Sequence, residues 1–550
     1  MILTRYGSLN FKFFNEYNMI TLSIFSRFFS GIHRLSMIKV VVPLILSFHS
    51  GCETGIEESP PNIVLIMGDD IGFSDLGCYG GEILTPNLDK LANEGIRFSQ
   101  FYNMAKCEPT RSVMLTGHYK GDDRSLSVAR LLGDANYTTI MCGKEHFQNW
   151  VPKSAYAVNN FDHTFTFWKI SEFFVPPGGK MANPFILNGR ELSVEEVDNE
   201  IEPLYKTDVL TDYAIKFLDT AMAKDKPFFL YMPYNNAHYP LQARPEDIAL
   251  FKGKYMKGWD AIRKSRYDKM VDLGLMDPKY TLSPPEGNIN RFRGHPPGDD
   301  EIREKIPLYR PWNSLTEKEK EDLDLEMAVY AAMVHRLDLN VGRIIAYLKS
   351  KGIYENTLIM YLSDNGSCPY DSNRDFIHPP GGPDSYRTLS AAWANAGNTP
   401  FRYFKQFGHE GGAHTHFIAS WPGKIKDKGG ITDQPGHVVD IVPTLVDITG
   451  TSYPLELNGK ASLLPHGKSL LPVFMGLDRP QPDYFISGHT ERFRMYREGD
   501  WKIVRVNGEE WELYNISDDM SETNNLASTY PEMIKKLVSN YEKRISEYPE

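Results

Sequence analysis

Seven residues constrain this chain more than any others: Asn62-Ile63-Val64-Leu65-Ile66-Met67-Gly68, with Asp69-Asp70 directly behind them. An unbroken apolar run without alternation reads as a strand buried on both faces, in the middle of a parallel sheet covered by helices. Two adjacent carboxylates at the end of such a strand repel each other and lose hydration. They need a compensating cation unless they form an ordinary exposed acidic turn. In open α/β sheets, ligands gather at the carboxyl ends of the strands, so the chain is read next for other strands that end in chemistry.

Several do. Residues 137–141 form a strand pattern ending at Gly143-Lys144-Glu145-His146, where Lys144 and His146 would share one face of an extended chain. Residues 227–232 lead into Asn235-Asn236-Ala237-His238, and residues 357–363 into Asp364-Asn365-Gly366. A further junction carries Lys405, His409, Glu410, Gly411 and Gly412 ahead of a strand at 417–422. A lone histidine after a strand is more often structural than catalytic, so His238 gains weight only from its neighbours.

Helix signals separate these strands. One helix follows Thr85-Pro86, with Leu88, Leu91 and Ala92 on one face and Gly95 as its stop. Residues 126–132 look helical, and the capping box Thr316-x-x-Glu319 opens a long amphipathic helix that closes at Gly352. Residues 97–102 read as one short strand, 150–205 as a substrate rim without period, and 250–312 as a charged insertion lying outside the core. Another helix begins near Asp440. Prolines and glycines between 453 and 482 mark a boundary, beyond which strands at 501–504 and 511–515 are joined by Asn507-Gly508 and followed by a last helix at 531–546. The expected organisation is a catalytic α/β domain over 62–476 and a smaller unit over 477–550.

Cys107-Glu108-Pro109-Thr110-Arg111 lies between the first strands. Pro109 suits the first turn of a helix, which would set Cys107 at a helix N-terminus, a position that favours an anion. Taken alone, the motif reads equally well as a buried thiol near an ion-paired arginine. The five cysteines are odd in number and lack C-x-x-C spacing, so neither a disulfide framework nor a zinc site is indicated. One bridge, for instance Cys78 with Cys142, stays open. The net charge of −11 argues against a nucleic-acid partner.

Collected, the strand ends offer Asp69, Asp70, Asp364 and Asn365, an oxygen-only set that suits calcium or magnesium and disfavours zinc. Arg111, Lys144, His146, His238 and Lys405 suit a tetrahedral oxyanion and the charge on its departing oxygen. The substrate class is a sulfate or phosphate ester.

With these residues in place, the chain resembles the type I sulfatases, the formylglycine-dependent arylsulfatase family of the alkaline phosphatase superfamily. The resemblance rests on Cys107-x-Pro109-x-Arg111 with Leu115-Thr116-Gly117, on Thr85-Pro86-Asn87-Leu88-Asp89, on Gly143-Lys144-x-His146, on Asp364-Asn365-Gly366, on Glu410-Gly411-Gly412 and on Gly499-Asp500-Trp501-Lys502. It implies an alkaline-phosphatase-like α/β fold: a large mixed, mostly parallel sheet sandwiched by helices, with a C-terminal α+β subdomain of antiparallel strands and one helix. It also implies that a maturation enzyme oxidises Cys107 to Cα-formylglycine, with Pro109 and Arg111 in its recognition signal. Asp69, Asp70, Asp364, Asn365 and the modified Cys107 would hold calcium, or less favourably magnesium. Arg111 would orient the nucleophile, a hydrated aldehyde that attacks sulfur in line. Lys144 and Lys405 would bind the sulfate, His238 with Lys405 would protonate the leaving alcohol, and His146 would take the proton that lets the aldehyde return.

The chain departs from the family pattern at Glu145, where tryptophan or a similar residue is usual, and at Phe147-Gln148, where Leu-Gly is usual. Glu145 would either tune the neighbouring cations or point away. Thr110 replaces the commoner serine, and His489 reads as a substrate contact or as a structural residue. Ahead of the first strand, residues 1–36 are not expected in the mature protein. Residues 37–52 read as a signal peptide ending at Gly51-Cys52, where Cys52 is either lipidated or part of a plain leader, and 53–61 as a linker. The expectation is an exported, periplasmic or surface-anchored sulfatase acting on sulfated carbohydrate. A phosphoester hydrolase of the same superfamily would use serine or threonine and two zinc ions in place of the cysteine motif. A non-catalytic binder of sulfated glycans would not need the complete set of reactive residues.

Overall fold

The computed structural model describes residues 59–147, 157–168, 172–175, 183–198, 203–285, 310–370, 378–457, 459–489 and 492–548. The expected leader, Cys52, Gln148 and most of the linker lie outside them. The apolar run forms strand β1 (Asn62–Gly68), followed along the chain by β2 (Ile96–Phe98), β3 (Thr138–Lys144), β4 (His163–Phe167), β5 (Ile186–Leu187), β6 (Arg190–Glu191), β7 (Phe228–Pro233), β8 (Thr357–Ser363), β9 (Phe417–Ser420) and β10 (Gly430–Thr432). These make one ten-stranded sheet in the order β10-β2-β9-β8-β1-β7-β3-β4-β5-β6. The five central strands β8, β1, β7, β3 and β4 run parallel, and antiparallel pairs occur only toward the edges.

Both faces of β1 are buried, as its unbroken apolar pattern requires. Val64 and Ile66 join one core with helices α1 (Pro86–Glu94), α3 (Lys206–Met222), α4 (Trp259–Asp272) and α5 (Glu317–Ser350). Ile63, Leu65 and Met67 join the other with α2 (Cys107–Thr116), α7 (Ile441–Thr449) and α8 (Pro531–Ser546), while the single turn α6 (Glu410–Ala413) sits between β8 and β9 in sequence. The capping box of α5 forms as expected, with Glu319 N–H donating to Thr316 Oγ1 at 3.3 Å and Thr316 N–H to Glu319 Oε2 at 2.7 Å.

Three expectations need correction, and the open question of a disulfide is closed. The segment 250–312 does not lie outside the core over its described part: Trp259, Ile262 and Met270 of α4 pack into it. Its charge misleads because Arg266 is itself buried, 2.6 Å from Asp75 and 2.7 Å from Glu82. The region 150–205 is more than a rim, since β4 extends the parallel sheet, pairing Met141 with Thr164. Residues 97–102 split at Ser99: β2 pairs with β9 and β10, and Phe101-Tyr102 pairs with Gly436-His437 in a separate ladder. Cys78 and Cys142 are buried free thiols. Helix α3 was not foreseen; its core face runs through Val209, Leu210, Tyr213, Ala214, Leu218 and Ala221, interleaved with threonines and charges.

The C-terminal part holds a four-stranded antiparallel sheet, β11 (Phe485–His489), β12 (Phe493–Glu498), β13 (Trp501–Val506) and β14 (Glu512–Asn515), in sequence order. Asn507 and Gly508 have φ of 48° and 75° in the turn after β13, the left-handed geometry that this dipeptide tolerates best. Helix α8 packs on β12 and β13.

Candidate active site

Strand register assembles the site. Gly68 of β1 pairs with Ser363 of β8, so the next residues, Asp69 and Asp364, leave the sheet side by side. Lys144, at the end of β3, sends Nζ to Asp69 Oδ2 at 2.5 Å. From the second turn of α2, Arg111 donates to Asp364 Oδ2 through Nε at 3.0 Å and Nη2 at 2.7 Å, and to the Lys144 carbonyl at 3.2 Å. Its Nη2 is also 3.5 Å from Asp69. Lys405 Nζ lies 2.5 Å from Asp70 Oδ1, which also accepts from Asn365 Nδ2 at 2.7 Å.

Cys107 is the first residue of α2, as expected, and its Sγ is 3.3 Å from His146 Nδ1. His238 Nδ1 faces the Tyr239 carbonyl at 2.7 Å; a carbonyl only accepts, so that nitrogen carries the proton. Its Nε2 lies 3.6 Å from Asp70 Oδ2. Every nominated residue is therefore in one buried group: Asp69, Asp70, Cys107, Arg111, Lys144, His238, Asp364, Asn365 and Lys405 are each at most 3% exposed, and His146 reaches in from the rim. The extended-chain argument that paired Lys144 with His146 does not hold as stated. His146 has φ of 45°, so the chain turns after β3 and brings its ring to Cys107 by a left-handed step.

Three aspartates face two lysines and an arginine here. Burial pushes the Asp69 carboxyl up, but Lys144, His238, Arg111 and Lys405 outweigh it and hold the group well below the usual carboxylate range. Burial pushes His238 down to about 4 against the pull of Asp70, and pushes His146 down to about 2 with help from Lys144 and Arg111.

The residues present fit a hard cation. Asp69 Oδ1, Asp70 Oδ2 and Asn365 Oδ1 are buried oxygens with no hydrogen-bond partner among the described residues. Acceptors left unmet in one cluster are costly unless something positive joins them. Ligand atoms of Asp69, Cys107 and Asp364 lie within 4.8 Å of one another, as do those of Asp69, Asp70 and His238. The donors left unmet are all oxygen, which favours a hard cation over zinc although the His238 imidazole stands close by.

The remaining motifs are mostly scaffold. Thr110 Oγ1 donates to the Asp364 carbonyl at 2.7 Å and accepts from Met104 N–H at 3.0 Å, tying α2 to the end of β8. Glu145 accepts from Thr166 Oγ1 at 3.0 Å, so its carboxylate is engaged by β4. Glu410 takes Lys502 Nζ at 2.5 Å, Tyr102 O–H at 2.9 Å and His414 Nδ1 at 2.7 Å. Gly411 and Gly412 are required there, because a Cβ would collide with the carbonyl oxygens of Tyr403 and Phe407. His489 ends β11, and its side chain lies outside the described residues. Sequence reasoning missed Tyr239, Tyr370 and Gln406, although two of them are immediate neighbours of His238 and Lys405.

A buried cluster of three aspartates and an asparagine with unmet oxygens, a thiol at a helix N-terminus and a ring of lysine, arginine and histidine fits an α/β hydrolase of tetrahedral oxyanion esters. The family model for Sulfatase matches residues 61–451, and that for N-sulphoglucosamine sulphohydrolase, C-terminal, matches 400–548. An uncharacterized sulfatase of Schizosaccharomyces pombe is 30% identical over 88% of this chain and 93% of its own length. The N-acetylglucosamine-6-O-sulfatase of Bacteroides thetaiotaomicron is 26% identical over 90% of this chain and 87% of its own. Among solved structures, Ps i-CgsB in complex with k-i-k-neocarrahexaose shares the fold with a TM-score of 0.61 at 24% identity, over 88% of this chain and 92% of that one. The chain belongs to the sulfatase family, as a type I sulfatase of the alkaline phosphatase superfamily, and is a sulfuric ester hydrolase.

Proposed function

We propose that this enzyme hydrolyses a sulfate monoester on a carbohydrate, that Cys107 works as Cα-formylglycine installed by a maturation enzyme, and that calcium is the resident ion. The observation that carries the reading is the position of Cys107: its thiol stands at a helix N-terminus, grouped with Asp69 and Asp364 beside the unmet oxygens. Carbohydrate as substrate class is supported by the likeness to the N-acetylglucosamine-6-O-sulfatase.

Asp69, Asp70, Asp364, Asn365 and position 107 would hold the ion. Bound calcium together with the aldehyde supplies an activated oxygen nucleophile and neutralises charge on the sulfate. The chain's own residues do the rest. Arg111 fixes Asp364 and, through it, the bearing of α2. Lys144 and Lys405 are buried cations that an incoming sulfate would share with Asp69 and Asp70. His238 presents Nε2 toward the same space while its Nδ1 proton is held by a carbonyl, so Nε2 is the atom that exchanges a proton with the leaving oxygen. His146, in contact with position 107, is placed to take a proton there.

The reading extends to an exported enzyme, with residues 37–52 as a signal peptide, either periplasmic or anchored by lipid at Cys52, with a catalytic part over 62–476 and a subdomain over 477–550. Peptide mass spectrometry of the Cys107 segment from active enzyme tests the chemistry. The expected mass reflects exchange of H₂S for O. An unmodified thiol in a preparation that turns over a sulfated sugar overturns the mechanism.

A further inference from the structure

Beside His238 stands a group of aromatic side chains that none of the steps above uses. The His238 and Tyr239 rings are 4.3 Å apart between centroids, tilted by 33°. Tyr239 in turn lies 5.5 Å from Tyr370 and 6.1 Å from Tyr386, the latter edge-on at 72°. Exposure rises outward along the row. His238 is buried, Tyr239 and Tyr370 are half-buried, and Tyr386 is 47% exposed. The charges of Lys405 and Asp70 both act on Tyr239 and on Tyr370, so the inner pair borders the catalytic group itself.

A second feature faces the same row. Gln406, next to Lys405, donates Nε2–H to the Tyr370 hydroxyl at 2.7 Å. The residue is only 7% exposed, and its Oε1 has no partner among the described residues. Its φ of 67° is left-handed, a conformation that a side chain of this size adopts reluctantly, and its N–H is held by the Ala105 carbonyl at 2.7 Å. Backbone held in that way at a site's edge is a mark of a positioned side chain.

We propose that Tyr239, Tyr370, Tyr386 and Gln406 form the seat for the ring that carries the sulfate, and that this ring is a saturated, hydroxylated one: a pyranose. The inference rests on the sulfatase reading above and adds the residues that choose the alcohol. Tyrosine faces accept the apolar C–H face of a sugar ring and exclude water from it. A buried amide oxygen with no donor asks for a hydroxyl, and a ligand without one leaves it unmet, which is how polar pockets reject analogues. An aryl sulfate would satisfy the tyrosines and fail Gln406. The outward gradient also leads the ring's far side along Tyr386 toward solvent.

The test compares wild type with Tyr386→Ala, Tyr370→Leu and Gln406→Met on three sulfate esters: a 6-sulfated N-acetylglucosamine, cyclohexylmethyl sulfate and ethyl sulfate. Tyr386→Ala is expected to raise KM for the sugar about tenfold with kcat within about threefold, and to lose at least five times less on ethyl sulfate. Gln406→Met is expected to lose more on the sugar than on cyclohexylmethyl sulfate, which has the ring without hydroxyls. Equal losses on all three esters, or variants that match wild type on the sugar, overturn this seat while leaving the sulfatase reading intact. A wild type that cleaves none of the esters overturns that reading and the seat with it. Melting temperatures of the variants separate lost recognition from lost folding, and Tyr386→Phe, which keeps the ring, is expected to restore the sugar KM.

Discussion

Lys502 of the C-terminal sheet places Nζ 2.5 Å from Glu410 Oε1 and 2.8 Å from Glu522 Oε1, with all three side chains fully buried. Glu410 opens the turn that follows Lys405, and its N–H donates to Glu522 Oε2 at 2.7 Å. The C-terminal sheet thus holds the loop that carries Lys405 to Asp70. Removing the cation alone leaves two carboxylates buried together, the situation in which a broken buried pair costs about 3–5 kcal/mol. Lys502→Met is expected to lower stability by about that amount in denaturant unfolding. A loss under about 1 kcal/mol would show that the network does not clamp the loop.

Position 107 separates chemistry from scaffold. Its side chain is small and its thiol has one hydrogen-bonding partner among the described residues, His146 Nδ1, so Cys107→Ala removes little packing. Turnover of a sulfate ester is expected to fall by at least about 10³-fold, while the melting temperature stays close to wild type. Retained turnover would remove Cys107 from the reaction.

Metal removal acts on the three unmet oxygens of Asp69, Asp70 and Asn365. An ion that binds only the folded chain stabilises it by about 2.7 kcal/mol at a hundredfold excess over Kd. Chelation is expected to lower the melting temperature and abolish turnover, and added calcium to restore both, more effectively than magnesium. A melting temperature indifferent to chelator and to calcium would sink the assignment of this pocket.

Most of the site was legible in the sequence because its residues sit at strand ends. A buried strand declares itself by an unbroken apolar run, and the residue after it declares its chemistry, as at Gly68-Asp69 and Ser363-Asp364. What was illegible follows from mixed surfaces. Helix α4 carries Arg263, Lys264, Arg266 and Lys269 among its core residues, and only the structure shows that Arg266 is neutralised by Asp75 and Glu82. Helix α3 hides its apolar face among Thr207, Asp208, Thr211 and Asp212. His146 reaches Cys107 through a left-handed turn that no periodicity announces, and Tyr370 meets Tyr239 and Gln406 across segments far apart in the chain.

The pH dependence of stability follows from buried histidines outside the set named for the candidate site. Burial pushes His118, His416 and His437 down to about 3, and His409 and His466 down to about 4. A depressed folded pKa means that the unfolded chain takes up the proton first, at about 6.5, so the folded state is fully favoured above that pH and loses ground as pH falls toward 3–4. Buried carboxyls act the other way: Glu522 is raised to about 7 and Asp338 to about 6, and Asp440 and Asp247 are raised as well, each chiefly by burial, so each favours the folded state at low pH and loses that contribution as pH rises through its folded value. Five strongly depressed histidines outweigh these carboxyls between about pH 4.5 and 6.5, where the unfolded chain therefore binds more protons. One pKa unit is worth about 1.4 kcal/mol, so even partial shifts sum to several kcal/mol. Melting temperature is expected to fall steadily from pH 7 to pH 5, and His416→Gln, which cannot be protonated, to flatten that slope. A melting temperature that rises on acidification over this range would mean that the buried carboxyls, and not the histidines, govern the acid limb.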